Sequence, residues 1–363
     1  MKNIAIFLGH PAHFHLFKNV AKNLTQTGLH VSFVIKKKDI LEKLLQDDNL
    51  TCSVIREGRS NTLFGLIKSV VQMEIGMARF IRKNNIELLI GSTLSFATRV
   101  FTKSKVVLTG EDDANLVPIF ARMVFPFVNE ILSPISCNNG RWNKKTIKYN
   151  SYQKLAYLHP NNFTPDISVV KKYFSTEKPY FLLRFAKLNA HHDLGIHGIS
   201  TETAKNMINI LQKYGSIYIT SERELEPQFE QYRLNINLLD IHHIMAFATL
   251  HIGDSQSMSV EAAMLGVPSV RFSDFAGKIG VLEELEHKYH LTFGIKSSDP
   301  EKLYQKIEEL LNMSELYNEF QVRRQRMLAE KIDYAAFLTW FIENYPDSKK
   351  TMKENPDYQY NFK

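Results

Sequence analysis

The amino-acid sequence predicts an α/β protein made of two Rossmann-like domains whose parallel sheets face each other across a cleft. Three features carry that expectation. The chain opens as strand, turn, helix and strand (residues 3–8, 9–13, 14–27 and 31–35), and parallel strands joined through a covering helix are the natural product of that order. The alternation begins afresh at residue 180, beyond a stretch at 149–165 rich in aromatic, Asn and Pro residues that has no clean period and reads as a hinge. The length of 363 residues, 44% hydrophobic and 23% charged, suffices for two cores of ordinary size. The expected boundaries are residues 1–160 for the first domain and 161–345 for the second, whose final helix packs back on the first. A polar tail at 346–363 is expected to fray.

In the first domain Gly28 closes the opening helix. Further strands are expected at 51–55, 88–90, 105–108 and 130–132. A helix at about 63–83 is apolar on more than one face, the mark of a helix packed under neighbours. In the second domain the pattern predicts strands at 180–184, 216–220, 249–252 and 269–272. Helices are expected at 201–214, 240–248, 258–265, 300–311 and 314–331, and the aromatic-rich run at 334–342 as the last. No repeat of solenoid length is present.

The first residues hold too short an apolar run for a signal peptide, and no run is long enough to span a bilayer. Two cysteines, Cys52 and Cys137, make no metal site by themselves and read as buried thiols of a reducing cytoplasm. The expected location is therefore cytoplasmic. The net charge of +7 favours an anionic partner: a nucleotide sugar, an anionic membrane face or nucleic acid. Nucleic acid is the least favoured, because no nucleic-acid-binding motif is present.

Residues 248–270 organise the chemistry. They read as a buried strand, a polar turn (Gly253, Asp254, Ser255, Gln256, Ser257), a short helix and a glycine stop at Gly266. Ser255 or Ser257 can cap that helix, and the open N–H groups of its first turn form an anion site. Glu261, one turn inside, is placed to accept two hydrogen bonds from a ribose diol. A plain cap and a solvated glutamate would show the same local pattern.

Other candidates lie at strand ends. The run His10-Pro11-Ala12-His13-Phe14-His15 follows the first strand, and an imidazole at the helix start suits proton removal near neutral pH; His13 is the first choice of base and His10 the second. Glu111-Asp112-Asp113 follows the strand at 105–108; adjacent loop acids seldom point one way, so Asp112 is read as an acceptor-side carboxylate or base, with a solvated loop as the alternative. Arg184 ends the first strand of the second domain, where a guanidinium can pair with a diphosphate and neutralise a leaving group. The loop beyond it carries His192 and Asp193, read as a hydrogen-bonded pair at the phosphates, since one His pair and one acid make a weak metal site. Thr220, Ser221, Glu222 and Arg223 end the next strand and are expected near the nucleobase or phosphates. His242 and His243 read as caps or packing residues.

The run Asp254-Ser255-x-Ser257-x-x-x-Glu261-Ala262-x-x-Leu265-Gly266-x-Pro268 resembles the C-terminal motif of GT-B-fold glycosyltransferases and of the related UDP-GlcNAc 2-epimerases. The resemblance implies that the serine turn holds the diphosphate and the glutamate the ribose. Gln256 and Ser257 stand where the epimerases have two glycines, which narrows the backbone approach. The loop around His13 resembles in position the glycine-rich loop of MurG-type transferases, with far fewer glycines. The motif set including His10-Pro11-x-His13, Arg184-Phe185, His192-Asp193 and Ile219-Thr220-Ser221-Glu222 resembles the DUF354 family of prokaryotic proteins.

The reading is thus a GT-B-like, metal-independent glycosyltransferase with no cofactor. Its expected donor is a nucleotide diphosphate sugar, UDP-linked, and its acceptor a saccharide or a lipid-linked sugar, in surface polysaccharide or glycolipid synthesis. Phe64, Ile67, Phe120, Phe125 and Phe127 beside Arg122 are candidates for contact with the inner membrane face, with an ordinary core role as the alternative. The alternatives are a nucleotide-sugar 2-epimerase, using Asp112, Asp113 and His192, and a non-catalytic nucleotide-sugar binder.

Overall fold

The computed structural model describes residues 3–36, 39–48, 50–55, 63–91, 93, 95–186 and 198–363. The chain divides into two compact units, Met1–Tyr157 with Lys331–Lys363, and Leu158–Glu330.

The first unit holds seven strands: β1 (Asn3–Leu8), β2 (His30–Lys36), β3 (Cys52–Ile55), β4 (Leu88–Ile90), β5 (Lys105–Thr109), β6 (Glu130–Pro134) and β7 (Thr146–Tyr149). They run β3-β2-β1-β4-β5-β6-β7, every pair parallel. All of Ile4 to Leu8 is buried, as in a sheet covered on both faces. Ala5, Phe7, Val34, Leu89, Val106 and Ile131 meet Met73, Met77 and Ile81 of the helix Leu63–Lys83 in one core. The helix Pro11–Gln26 buries Phe14, Phe17, Val20 and Leu24 and lies against the helix Tyr334–Glu343. It starts three residues earlier than its apolar period suggests, because Pro11 needs no N–H partner at the first position. β7 escapes the sequence pattern: only Ile147 and Tyr149 of its four residues face inward.

The second unit holds β8 (Tyr180–Phe185), β9 (Ser216–Ser221), β10 (Leu250–Gly253), β11 (Ser269–Phe272) and β12 (Thr292–Ile295), in the order β12-β11-β10-β8-β9 and again all parallel. Each sheet therefore reverses its strand order once, at β1/β4 and at β8/β10. In open α/β sheets the crevice beyond the carboxyl ends at that reversal is where ligands bind.

Two expectations gain detail here, and the second is corrected. The division between the units, after Tyr157, falls inside the stretch 149–165 read as a hinge, but the first part of that stretch is packed: Tyr149, Tyr152 and Leu155 to Leu158 are buried, and Tyr149 stacks on Tyr334 at 4.3 Å. The Ser151 hydroxyl donates to Ile332 O at 2.6 Å and Lys331 Nζ to Asn150 Oδ1 at 2.9 Å, so the chain's two passages between the units are tied together inside the first. The tail does not fray. Residues Asp347–Glu354 form a helix and Pro356–Phe362 a 3-10 helix. Lys349 pairs with the buried carboxylate of Glu130 and Lys353 reaches it at 3.9 Å, while Gln359 Oε1 accepts from Asn150 N at 2.6 Å. Polar composition misled here because the tail's lysines serve a carboxylate on a central strand.

No helix among the described residues is long and apolar enough to cross a membrane. Of the aromatic residues expected at a membrane face, Phe125 is buried, Phe120 packs on the core and Phe127 is half-buried; the side chains of Phe64 and Ile67 lie outside the described residues.

Candidate functional site

At the β8/β10 reversal, Arg184 and Gly253 are opposed in register. A Cβ on residue 253 would lie 2.8 Å from Arg184 Cβ and 2.9 Å from its carbonyl oxygen, so only glycine lets the strand ends approach. Arg184 Nη2 donates to the Glu222 carboxylate, and its buried Nε has no partner among the described residues. Glu222 is thus the present counter-ion of the arginine proposed for phosphate.

Asp254 is buried with both oxygens engaged. Oδ1 accepts from Ala186 N at 2.6 Å and Oδ2 from Ile199 N at 3.2 Å. The carboxylate thus ties Ala186 to Ile199; the predicted site residue His192, between them in sequence, lies outside the described residues. Burial raises the Asp254 pKa, and the two backbone donors with Arg223 offset part of that. Arg223 Nη2 donates to Ile199 O at 2.8 Å, and its guanidinium lies over the Phe185 ring. The Ser221 hydroxyl donates to Arg223 O at 2.7 Å and accepts from Arg223 N, so it closes its own turn.

Ser255 is the N-cap of the ten-residue helix Gln256–Leu265; its Oγ accepts from Met258 N at 3.5 Å and its carbonyl from the Ser259 hydroxyl at 3.0 Å. Gln256 Nε2 donates to Asp254 O at 3.2 Å, and Ser257 is half-buried on the same turn. Glu261 is only 7% exposed, with His242 Nε2 3.4 Å from its Oε1. His251 on β10 is fully buried, its Nδ1 3.0 Å from the Ser269 hydroxyl. Desolvation lowers its pKa to about 4, with Arg184 pushing the same way and Glu261 opposing, so the ring is neutral at pH 7. Sequence reasoning missed His251 and the His242 contact. The one available signal was a histidine inside an apolar strand. His243 does act as packing: its Nδ1 accepts from Asp166 N at 3.0 Å and its ring meets Phe163.

In the first unit, His10 caps the helix Pro11–Gln26, its Nδ1 accepting from Ala12 N at 3.2 Å. His13 Nδ1 accepts from Gly9 N at 3.1 Å. In the neutral ring that bond leaves the proton on Nε2, which then donates rather than accepts. The three acids after β5 diverge. Glu111 bonds Gln153 N and reaches Lys154 Nζ at 3.3 Å, Asp113 Oδ1 accepts from Asn138 N at 2.6 Å, and Asp112 is exposed. Among the described residues no three His, Cys, Asp or Glu side chains group as a metal site. Both cysteines are free thiols. Burial raises the pKa of each, and nearby acids add to the rise.

No protein-family model and no curated protein matches the chain. Solved structures do. Neisseria meningitidis UDP-GlcNAc 2-epimerase bound to UDP-GlcNAc matches with a TM-score of 0.67 at 14% identity, over 98% of this chain and 100% of that one. S. aureus MnaA, in a co-structure with UDP, matches with a TM-score of 0.65 at 14% identity, over 96% and 98%. The spinosyn rhamnosyltransferase SpnG, complexed with spinosyn aglycone, matches with a TM-score of 0.59 at 14% identity, over 95% and 100%. The chain is similar to all three through its fold. That fold is GT-B-like, two α/β halves each built on a parallel sheet.

Proposed function

We propose that this protein is a glycosyltransferase that takes a nucleoside diphosphate sugar, UDP-linked, and passes the sugar to a saccharide or lipid-linked acceptor without a metal ion. The observation that carries the reading is the buried Glu261 inside a serine-capped helix at the β8/β10 reversal, beside Arg184. In this reading Glu261 grips the ribose diol. The first-turn N–H groups with Ser255, Gln256 and Ser257 hold the diphosphate, with Ser221 and Glu222 at the rim and His192 on the adjoining loop. Asp254 ties together the described residues that flank that loop, Ala186 and Ile199. As the bond from the anomeric carbon to the β-phosphate oxygen breaks, Arg184 exchanges Glu222 for the leaving diphosphate. The acceptor hydroxyl forms the new bond and gives its proton to a base. His13 serves as that base through its other tautomer, with the exposed Asp112 as the second choice; His10 remains a cap. The DUF354 resemblance and a role in surface polysaccharide or glycolipid synthesis belong to the same reading.

A 2-epimerase is the second reading, favoured by the higher TM-scores of the epimerases, 0.67 and 0.62 against 0.59 for the transferases. Against it, Asp113 is buried and bonded to backbone, which removes one of the acids that C2 chemistry was expected to use. Peripheral contact with the inner membrane face from the cytoplasm is part of the proposal. Its support is now the exposed Phe96, Val100, Phe101, Ile119 and Met123, with Arg99 and Arg122 on the same two helices.

The test is calorimetric titration of wild type and Glu261→Ala with UDP, GDP, CDP, dTDP and their sugar conjugates, with and without EDTA. Micromolar binding of one base, indifferent to EDTA and lost in the variant, is expected. Incubation of that sugar nucleotide alone then separates the readings: an epimer appearing without acceptor establishes the second, and binding without any turnover reduces the protein to a binder.

A further inference from the structure

The loops that follow β5 and β6 border an open pocket for which the donor site has no use. They are joined side to side: Asp113 Oδ1 accepts from Asn138 N at 2.6 Å, Ala114 N donates to Asn138 O at 3.0 Å, and Cys137 Sγ donates to Glu111 O at 2.9 Å. Between them and the helix Pro118–Val124 lies a cavity of about 330 Å³, lined among others by Asn115, Arg122, Asn139, Arg141 and Trp142. That volume is at the small end of ligand sites, room for one sugar ring and an anionic group.

Arg122 and Arg141 are both exposed, and neither has a carboxylate within ion-pair distance among the described residues. Arg141 lies with its guanidinium over the Trp142 ring at 4.7 Å, a contact that steadies the side chain while leaving its N–H donors available. The neighbouring acids Glu111 and Asp113 are engaged with Lys154 and with backbone, and Lys145 is turned to the carbonyls of Phe125, Pro126 and Val128. Two planar forks, with Asn115 also lining the pocket, match a tetrahedral oxyanion better than a neutral sugar; the Asn139 amide is already engaged, its Nδ2 donating to Thr146 Oγ1 at 3.2 Å.

We infer that this pocket binds a phosphate ester, and that the acceptor of the proposed transfer carries one. The word acceptor rests on the transferase reading; the phosphate site does not. The ester arrives either on a soluble sugar phosphate or as the headgroup of a lipid.

Binding is measured with α-glucose 1-phosphate against glucose, and with phosphatidylcholine vesicles with and without phosphatidylglycerol. Wild type is compared with Arg122→Ala/Arg141→Ala, with Arg122→Lys/Arg141→Lys, and with Arg79→Ala/Lys83→Ala, which removes equal charge elsewhere. At least one anionic probe is expected to bind tenfold better than its neutral counterpart. The double alanine variant should lose that margin, the lysine variant should recover part of it, and the remote variant should keep it. Retention by glucose 1-phosphate alone identifies a soluble ester, and by the vesicles alone a lipid headgroup. Equal binding by wild type and the double alanine variant, equal loss in the remote variant, or no anionic preference in wild type overturns the inference. UDP titrated into the same proteins keeps the two claims apart: a pocket that holds while UDP fails to bind leaves the phosphate site standing and removes the acceptor.

Discussion

His251 makes one hydrogen bond, to Ser269, and sees no solvent, so its imidazole stays neutral down to a pH of about 4 against 6.5 for an unfolded histidine. Between those values the unfolded chain binds a proton that the folded chain refuses. Stability therefore falls as pH drops from 6.5 towards 4, by roughly 3 kcal/mol from this residue. Urea midpoints measured across that window should fall less steeply for His251→Leu than for wild type; parallel curves would refute it. Glu261 and His242 form the other residue-scale unit, a buried contact at 3.4 Å. If the imidazole orients the carboxylate for the ribose, Glu261→Gln weakens nucleotide binding by about tenfold, the loss of a charge-assisted hydrogen bond. His242→Phe should weaken it less, and add nothing in the Glu261→Gln background. Ser255, Arg184 and Glu261 stood out in the sequence because turn and helix signals locate strand ends. His242 lies nineteen positions before Glu261, on a different helix, and no local pattern links the two.

The helix Gln256–Leu265 is buried along nearly its whole length, so its position depends on how both ends are satisfied. Ser255 closes the first. At the second, Gly266 adopts φ +71°, Gln321 Nε2 donates to the carbonyls of Leu265 and Gly266, and Arg324 Nε donates to Met264 O at 2.6 Å. A Cβ at 266 would stand 2.6 Å from Gln321 Nε2 and 2.9 Å from Arg324 Cδ. Gly266→Ala therefore combines left-handed strain with displacement of both donors, and is expected to cost about 2 kcal/mol in urea unfolding. A loss within a few tenths of a kcal/mol of zero would mean that the helix end relaxes freely. The glycine stop was legible in the sequence. Its two donors, more than fifty residues further on, were not. The same holds for the short strands β7 and β12, whose four-residue runs lack enough inward positions to show a period.

For the whole molecule, the decisive feature is that the first unit is assembled from both ends of the chain. Its last eighteen residues include the buried Ser348, Met352 and Gln359, and Tyr358 stacks on Trp340 at 4.8 Å. Deleting residues 346–363 leaves Glu130 buried without its lysines and removes the hydrogen bond from Asn150 N to Gln359. Loss of a buried charge's partners typically costs about 3 kcal/mol or more. The deletion should lower the unfolding midpoint seen by tryptophan emission, because the chain's two tryptophans, Trp142 and Trp340, both belong to this unit. An unchanged midpoint would restore the frayed tail that composition suggests.

Periodicity and punctuation in the sequence determined the α/β class, the two sheets, most strands, and the serine-capped helix with its glutamate, because each depends on residues within one or two turns of one another. Tertiary structure alone decided that Asp254 ties Ala186 to Ile199, that Glu222 neutralises Arg184, that His13 Nδ1 accepts from Gly9 N, and that the polar tail completes the first unit. Those outcomes turn on hydrogen bonds and ion pairs between groups brought together by the fold, and burial strengthens such contacts after the chain has closed around them.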